Sequence, residues 1–292
     1  MLITISIINY NYSRFLRQAI ESALCQKADE ATIEVLVVDD GSTDESDEVI
    51  AHYKTNPRFR SSKTENRGFG ATLTRAVVEA SGDYVFLMDA DDHFAPDKVA
   101  AMLPSLLKGA LYVTDVSCYI DEAGRSLPGG ARGSTSTVAI NRQAVAELLP
   151  VENELSFLTL LKVGRGFVMQ SSHTFYRFHN NSMTNRRQPG KQNLYLAGVT
   201  HRLASLVMQL ADRSQLPWGV TRRKLIAVSH GFRAQAFYND LEAALELKQV
   251  AKAWDRCARM LFHGMLAHGR MPSLHAKMLV RTIIMRPSSP KQ

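Results

Sequence analysis

The sequence lacks the features that mark a membrane-spanning or disulfide-bonded protein. No apolar run among its 292 residues approaches the roughly 20 needed to cross a bilayer. The first apolar residues are too few, and lack the basic flank, for a secretory signal. The three cysteines, Cys25, Cys118 and Cys257, are odd in number and far apart, which argues against a disulfide framework or a zinc site. We therefore expect free thiols, a reducing compartment and a cytoplasmic location.

Several nucleotide-binding and nucleic-acid-binding signatures are also missing. The chain has no G-x-G-x-x-G fingerprint and no P-loop, which disfavours a dinucleotide-dependent dehydrogenase. Residues 9–12, after the first predicted strand, read Asn-Tyr-Asn-Tyr. Nucleotidyltransferases of similar topology usually carry a basic, glycine-rich loop there, so that class is a less favoured alternative. No helix-turn-helix, zinc finger or aromatic RNP pattern indicates a nucleic-acid partner.

Acidic residues become scarce toward the C-terminus. Residues 1–200 carry 20 basic and 23 acidic side chains, whereas residues 201–292 carry 15 and 5. This basic excess fits a solvated surface or a face that meets anionic lipid. Residues 273–285 mix apolar and basic side chains. We expect them to contact the inner face of a membrane as a peripheral segment, or to pack on the domain or on a second subunit of an oligomer.

The first hundred residues alternate predicted strands and helices. Buried strands are predicted at Leu2–Ile8, Glu34–Val38 and Tyr84–Met88, and helices at Phe15–Cys25, from Ser42 or Thr43 to about Tyr53, and at Ala71–Ala80. This order predicts an α/β fold with a mostly parallel sheet flanked by helices. Residues 124–137 carry four glycines and no apolar stripe, which indicates a loop. From about Tyr195 the pattern is helical, so a C-terminal helical extension is expected.

Polar clusters fall at three predicted strand ends, at residues 9–11, 39–44 and 89–92. In parallel sheets, ligands bind beyond the carboxyl ends of the strands. Tyr10 could pack against a base, and Asp39 or Asp40 could accept hydrogen bonds from a base or a ribose hydroxyl. The alternative for Asp39–Asp44 is an ordinary capped turn. Arg67, in the glycine-containing segment 66–71, could reach a diphosphate at a helix N-terminus or be a surface arginine.

The strongest signal is the sequence Asp-Ala-Asp-Asp at residues 89–92, directly after an apolar strand. So many carboxylates repel one another unless a cation binds. Mg²⁺ or Mn²⁺ carrying a phosphorylated ligand would satisfy them. Asp89 and Asp91 point the same way only if the segment stays extended. The alternative is an acidic helix start at Asp92 or Pro96–Asp97, and both uses are compatible with Asp91 as a metal ligand.

In order and spacing, these segments resemble the family 2 glycosyltransferases, which are inverting enzymes with the GT-A fold. The matching segments are Tyr10-Asn11, Val38–Ser42, Asn66–Gly68, and Asp89–Asp92 with Pro96. Weaker likeness continues through residues 119–125, 152–164 and 176–184. The resemblance implies a GT-A domain over about residues 1–190, and it leaves residues 191–292 as a basic helical region.

The resemblance also implies a reaction and a set of site residues. A sugar would pass from a nucleotide-sugar, with a UDP-sugar favoured, to a hydroxyl on a glycan or lipid-linked acceptor in polysaccharide or surface-glycan synthesis. The donor would be held by Tyr10, Asp39, Asp40, Asn66, Arg67, Ala90 and His179, and Mg²⁺ or Mn²⁺ by Asp89 and Asp91. His179 has the alternative of a packed structural histidine.

Two positions depart from the family pattern. Asn153 stands where the family's catalytic aspartate is common, and an amide cannot take a proton at neutral pH. Glu152 or Glu154 could serve instead, although neighbours on a helix point in different directions, so at most one should face the site. If neither does, the chain would be a weak or inactive relative that binds a nucleotide-sugar or an assembly partner. Leu73 replaces a common arginine and leaves Arg67 or Arg75 as substitutes.

Overall fold

The computed structural model describes residues 1–180, 182, 190–247 and 249–268. The chain divides into two compact units, Met1–His179 and Asn180–Gln292. Residues 273–285, for which we expected membrane or packing contacts, lie outside the described residues. The assignment of residues 1–190 to a glycosyltransferase domain and of residues 191–292 to a basic helical region stays a prediction.

The first unit contains ten strands, all within described residues. They are β1 Leu2–Asn9, β2 Thr32–Asp39, β3 Phe59–Lys63, β4 Tyr84–Asp89, β5 His93–Phe94, β6 Tyr112–Thr114, β7 Ser117–Ile120, β8 Val138–Asn141, β9 Gly166–Val168 and β10 Thr174–Arg177. Seven of them form one sheet in the order β3-β2-β1-β4-β8-β6-β9, and the other three form a small sheet in the order β5-β10-β7. In the large sheet only β8 runs antiparallel to its neighbours. The predicted mostly parallel sheet is confirmed.

Helices cover this sheet and shield its apolar strands. They are α1 Ser13–Leu24, α2 Ser46–Ala51, α3 Phe69–Val78, α4 Lys98–Leu107, α5 Arg142–Val145 and α6 Leu158–Lys162. The core joins alternate residues of β1, such as Ile5 and Ile7, to the apolar face of α1 at Leu16 and Ile20. Most residues of β1, β2 and β4 are buried on both faces, which explains why these strands are rich in apolar residues at successive positions.

The register of the three central strands brings the predicted polar clusters to one edge. Asn9 pairs with Asp39 across β1 and β2, and Ile8 pairs with Asp89 across β1 and β4. The carboxyl ends of these strands therefore lie side by side. The prediction that the three clusters share one edge is confirmed.

Two local predictions were wrong. The helix expected to begin at Ser42 or Thr43 begins at Ser46, because the Ser42 hydroxyl donates to Asp39 Oδ2 at 2.6 Å instead of capping a helix. Strand β3 was not predicted, since within it only Phe59 is buried. It is an edge strand, and edge strands are commonly polar or charged.

The second unit is helical in its described residues, as predicted. Its helices are α7 Lys191–Ala211, α8 Arg222–Glu246 and α9 Val250–His268. The Ser229 hydroxyl of α8 donates to the Ala204 carbonyl of α7 at 2.7 Å. Helix α8 contributes Leu241 to an apolar cluster with Cys257 and Met260 of α9. Among the helices that the structure describes, none combines the length and apolarity required of a bilayer span.

Candidate active site

A tight turn after β4 gathers the three carboxylates. The Asp92 N–H donates to the Asp89 carbonyl at 3.0 Å, so the segment is not extended through Asp91, and α4 begins only at Lys98. One carboxylate oxygen from each of Asp89, Asp91 and Asp92 lies within 4.8 Å of the other two. The turn, rather than a strand-like alternation, brings the carboxylates of this acidic turn together.

The acidic turn is electrostatically unfavourable by itself. Burial raises the pKa of Asp89 well above its usual range, and the Asp91 carboxylate raises it further. The same two causes raise the pKa of Asp92. Closely spaced oxygen ligands of this kind suit Mg²⁺ or Mn²⁺, and a divalent cation would remove the repulsion. The donor set therefore fits the predicted metal.

Arg177 holds the acidic turn in place. Its backbone N–H donates to Asp92 Oδ1 and its Nε donates to the Asp91 carbonyl, each at 2.9 Å. The guanidinium also donates to Gln18 Oε1 at 2.7 Å and lies over the Phe15 ring at 4.9 Å. One buried arginine thus links β10, the acidic turn and helix α1.

His179 contacts the acidic turn through the side chain of Asp91. Its Nε2 lies 2.9 Å from Asp91 Oδ2, and the imidazole is buried. The ring packs edge-on to Tyr12 at 5.5 Å and against Phe15 at 4.9 Å. This packing fixes the ring, so His179 can orient the Asp91 carboxylate.

Sequence reasoning missed a buried ion pair behind the acidic turn. Lys98 and Asp115 are 3.2 Å apart, and neither side chain is exposed. Lys98 also donates to the Ser136 carbonyl at 2.8 Å, and the Ser136 hydroxyl accepts the Asp89 N–H at 3.0 Å. Burial lowers the pKa of Lys98 to about 8. A lysine within the apolar stripe of α4 was the available signal, since such a residue requires a buried partner.

Removing the lysine from this pair should be costly. We expect Lys98→Met to lower the free energy of unfolding by about 3 kcal/mol, because Asp115 is left as a buried, uncompensated charge. Urea unfolding followed by circular dichroism would measure the change. The double variant Lys98→Met/Asp115→Leu should recover part of the loss, and an equal or larger loss in the double variant would contradict this account of the pair.

At the end of β2, Asp39 stabilises its own loop. It is fully buried, and its carboxylate accepts from Asn9 Nδ2 at 2.6 Å and from the Ser42 N–H at 2.7 Å. Gly41 is required here, since its φ is +78° and an added Cβ would lie 2.7 Å from the Asn66 backbone nitrogen. The loop after β2 therefore presses against the segment that contains Asn66.

Asp40 fastens that neighbouring segment to the sheet edge. Its two carboxylate oxygens accept the N–H groups of Arg67 and Gly68, each at 2.9 Å. The side chains of Asn66 and Arg67 are exposed, and Tyr10 is 44 % exposed. Of the residues predicted to bind the donor, these three are exposed, whereas the carboxylates of Asp39 and Asp40 accept backbone N–H groups of the loops at the edge.

Ala90 is the remaining residue predicted to bind the donor, and Leu73 and Arg75 concern the arginine that is common in the family. Ala90 is buried, and its N–H donates to the Ile8 carbonyl at 3.0 Å. Leu73 is fully buried in the core. The Arg75 guanidinium donates to Thr64 Oγ1 at 2.6 Å and to Glu79 Oε1 at 2.9 Å. These contacts assign Arg75 to fold stabilisation, so that of the two candidate substitutes only Arg67 is exposed.

The segment around Asn153 separates the two candidate bases. Asn153 is buried, and its Oδ1 accepts the Leu155 N–H at 2.9 Å, capping a 3₁₀ turn that leads into α6. The negative charge of Glu154 contributes to the raised pKa of Asp89. Glu152 is exposed, and its backbone packs on Gly70, where an added Cβ would lie 2.9 Å from the Glu152 Cα. Glu154 therefore lies near enough to the acidic turn for its charge to act on Asp89.

The mostly parallel sheet with an acidic turn at its edge agrees with the GT-A fold expected from the sequence. The model of glycosyl transferase family 2 matches residues 4–151, half of the sequence, and the chain belongs to this family. Relatives include a chondroitin synthase of Escherichia coli, 34 % identical over 134 residues, and a hyaluronan synthase of Pasteurella multocida, 37 % identical over 108 residues. The matches cover 44 % and 37 % of this chain, but only 19 % and 11 % of those longer proteins.

The similarity to solved structures with the same fold extends over nearly the whole chain. Staphylococcus aureus TarS 1–349 in complex with UDP-GlcNAc matches with a TM-score of 0.68 and 14 % identity, covering 98 % of this chain and 89 % of TarS 1–349. The Pyrobaculum calidifontis mannosyltransferase PcManGT, in complex with GDP-Man and Mn²⁺, matches with a TM-score of 0.56 and 16 % identity, covering 99 % and 81 %. At such identities the likeness shows the fold alone.

Proposed function

We propose that this chain is an inverting glycosyltransferase that transfers a sugar from a nucleotide-sugar to a hydroxyl of a glycan or lipid-linked acceptor. The proposal rests mainly on the acidic turn of Asp89, Asp91 and Asp92, together with Glu154, whose charge acts on Asp89. This pairs a cation site with a carboxylate base at one sheet edge. Relatives named for chondroitin and hyaluronan synthesis support a role in polysaccharide or surface-glycan synthesis.

Donor binding is assigned to the edge formed by β1, β2 and β4. Tyr10, Asn66 and Arg67 present exposed side chains to the nucleotide, while Asp89 and Asp91 would hold Mg²⁺ or Mn²⁺. When bound, the cation neutralises negative charge on the departing nucleoside diphosphate. His179 keeps the Asp91 carboxylate in one orientation. The solved neighbours in complex with UDP-GlcNAc and GDP-Man support a nucleotide-sugar as the donor, and a UDP-sugar is our first choice.

Glu154 is assigned as the general base. It takes the proton of the acceptor hydroxyl as that oxygen attacks the anomeric carbon of the sugar. The attack comes from the face opposite the nucleoside diphosphate, so the new bond forms as the old one breaks and the anomeric configuration inverts. Asn153, held as a helix cap by the Leu155 N–H, orders the turn on which Glu154 lies.

A thermal-shift panel of nucleoside diphosphates and their sugars, with and without Mn²⁺, tests the donor proposal. A nucleotide at 100 times its Kd should stabilise the protein by about 2.7 kcal/mol, which raises the Tm by roughly 5 °C. We expect UDP or a UDP-sugar to give this shift only with Mn²⁺ or Mg²⁺. The shift should shrink as the pH falls, because protons compete with the cation for the carboxylates.

The outcomes of this panel separate the parts of the proposal. An equal shift in the presence of a chelator would remove the metal from the donor site while keeping the nucleotide. A metal-dependent shift with a different nucleotide would replace UDP. No shift with any nucleotide would contradict the proposed function.

A further inference from the structure

Helix α9 has a second apolar face besides the one that packs on α8. Cys257 and Met260 face the apolar cluster of the helical unit. Phe262, Met265 and Leu266 are 56 %, 50 % and 48 % exposed. Because their spacing is i, i+3 and i+4, these three side chains lie together on one face of the helix. We call them the α9 patch.

Such a patch indicates a binding surface rather than an ordinary feature of a soluble helix. Single exposed apolar side chains are common on proteins, but contiguous groups of large ones mark contacts with proteins or membranes. Leu247, another exposed apolar residue of this unit, lies at the end of α8 and outside the α9 patch.

The net charge of the chain is concentrated, in sequence, in the segment that begins with α9. Residues 250–292 carry eight Lys or Arg residues and one acidic residue, whereas residues 1–249 carry 27 basic and 27 acidic residues. The whole net charge of +7 therefore belongs to the segment that begins with α9. Its single acidic residue, Asp255, is paired with Arg256 at 3.2 Å and with Arg259 at 2.9 Å.

We propose that the α9 patch docks on a bilayer that carries anionic lipids, with the helix lying in the plane of the interface. A basic amphipathic helix combines insertion of its apolar face with attraction to negative headgroups. The same charge opposes the alternative occupant, a second copy of this chain, because two such segments repel each other. This inference does not depend on the proposed catalytic function.

Vesicle flotation with the full chain tests the proposal. We expect binding to vesicles that contain phosphatidylglycerol, little binding to pure phosphatidylcholine, and weaker binding as salt rises. The variant Phe262→Ser/Met265→Ser/Leu266→Ser should lower the partition coefficient by about tenfold or more, since the apolar area that enters the interface is lost. These positions are exposed, so the helical circular dichroism signal should be unchanged.

The matched control replaces three apolar residues of similar exposure outside the α9 patch. Leu107, Phe167 and Leu247 are 53 %, 50 % and 50 % exposed, and their triple serine variant should bind vesicles like the unsubstituted chain. Absence of binding by the unsubstituted chain, or equal binding by the α9 variant, would overturn the proposal. A dimer that the α9 variant converts to a monomer, without vesicle binding, would assign the patch to self-association instead.

Discussion

Replacing Asp91 by asparagine is expected to lower kcat roughly a thousandfold, because the loss of one charged ligand weakens charge stabilisation at the leaving group. The side chain keeps nearly the same shape, and the neighbouring Asp89 and Asp92 remain. The variant should also lose the Mn²⁺-dependent part of the nucleotide thermal shift. Steady-state transfer assays and the thermal-shift panel, performed on the same preparation, measure both effects.

A nearby carboxylate provides the control for this variant. The Asp97 side chain is 67 % exposed and contacts His173 at 3.0 Å, outside the acidic turn. Asp97→Asn should leave transfer and metal dependence within a factor of about two, as expected for a surface substitution. Full activity of Asp91→Asn would place the cation elsewhere. If the unsubstituted chain shows no transfer with any donor, the alternative of a non-catalytic nucleotide-sugar-binding relative is favoured.

Replacing Glu154 by glutamine is expected to lower kcat by about 10²–10⁴-fold while leaving nucleotide binding unchanged. The amide has the same shape but cannot accept a proton from the acceptor hydroxyl. A loss of kcat without a loss of donor affinity distinguishes a base from a donor-binding residue. Transfer kinetics combined with nucleotide titration by calorimetry would show this separation.

Two neighbours of Glu154 make the test specific. Glu152→Gln should have little effect, since that glutamate is exposed. Asn153→Asp should preserve the fold, because asparagine and aspartate are equally good helix caps. It should not raise activity if Glu154 is the base. A gain of activity in Asn153→Asp, or full activity of Glu154→Gln, would contradict the assignment.

The central sheet and the location of the site could be predicted from the sequence because both depend on local patterns. Continuous apolar runs identified β1, β2 and β4, and the polar residues after each run had to lie at one edge once the strands were parallel. Strand β3 was not predicted, because most of its residues are polar or charged, as is common in an edge strand. The start of α2 was misplaced because Ser42 bonds to Asp39 instead of capping a helix.

The contacts that complete the site could not be predicted, since they join residues distant in sequence. Arg177 donates to the carbonyl of Asp91, 86 positions earlier, and Lys98 and Asp115 form an ion pair behind the acidic turn. Nothing local reveals either partner. The different surroundings of Glu152 and Glu154 likewise depend on the 3₁₀ turn that begins at Glu154.

The sequence by itself determined the class of fold, the edge at which we propose that ligands bind, and the residue types available there. The apolar runs of the strands and the carboxylates that follow them are properties of neighbouring residues. Only the tertiary structure decided that Asp39 and Asp40 bond to the loops, that a turn gathers the carboxylates after β4, and that the charge of Glu154 acts on Asp89. Those decisions depend on burial and electrostatic contact between segments that meet only after the sheet has formed.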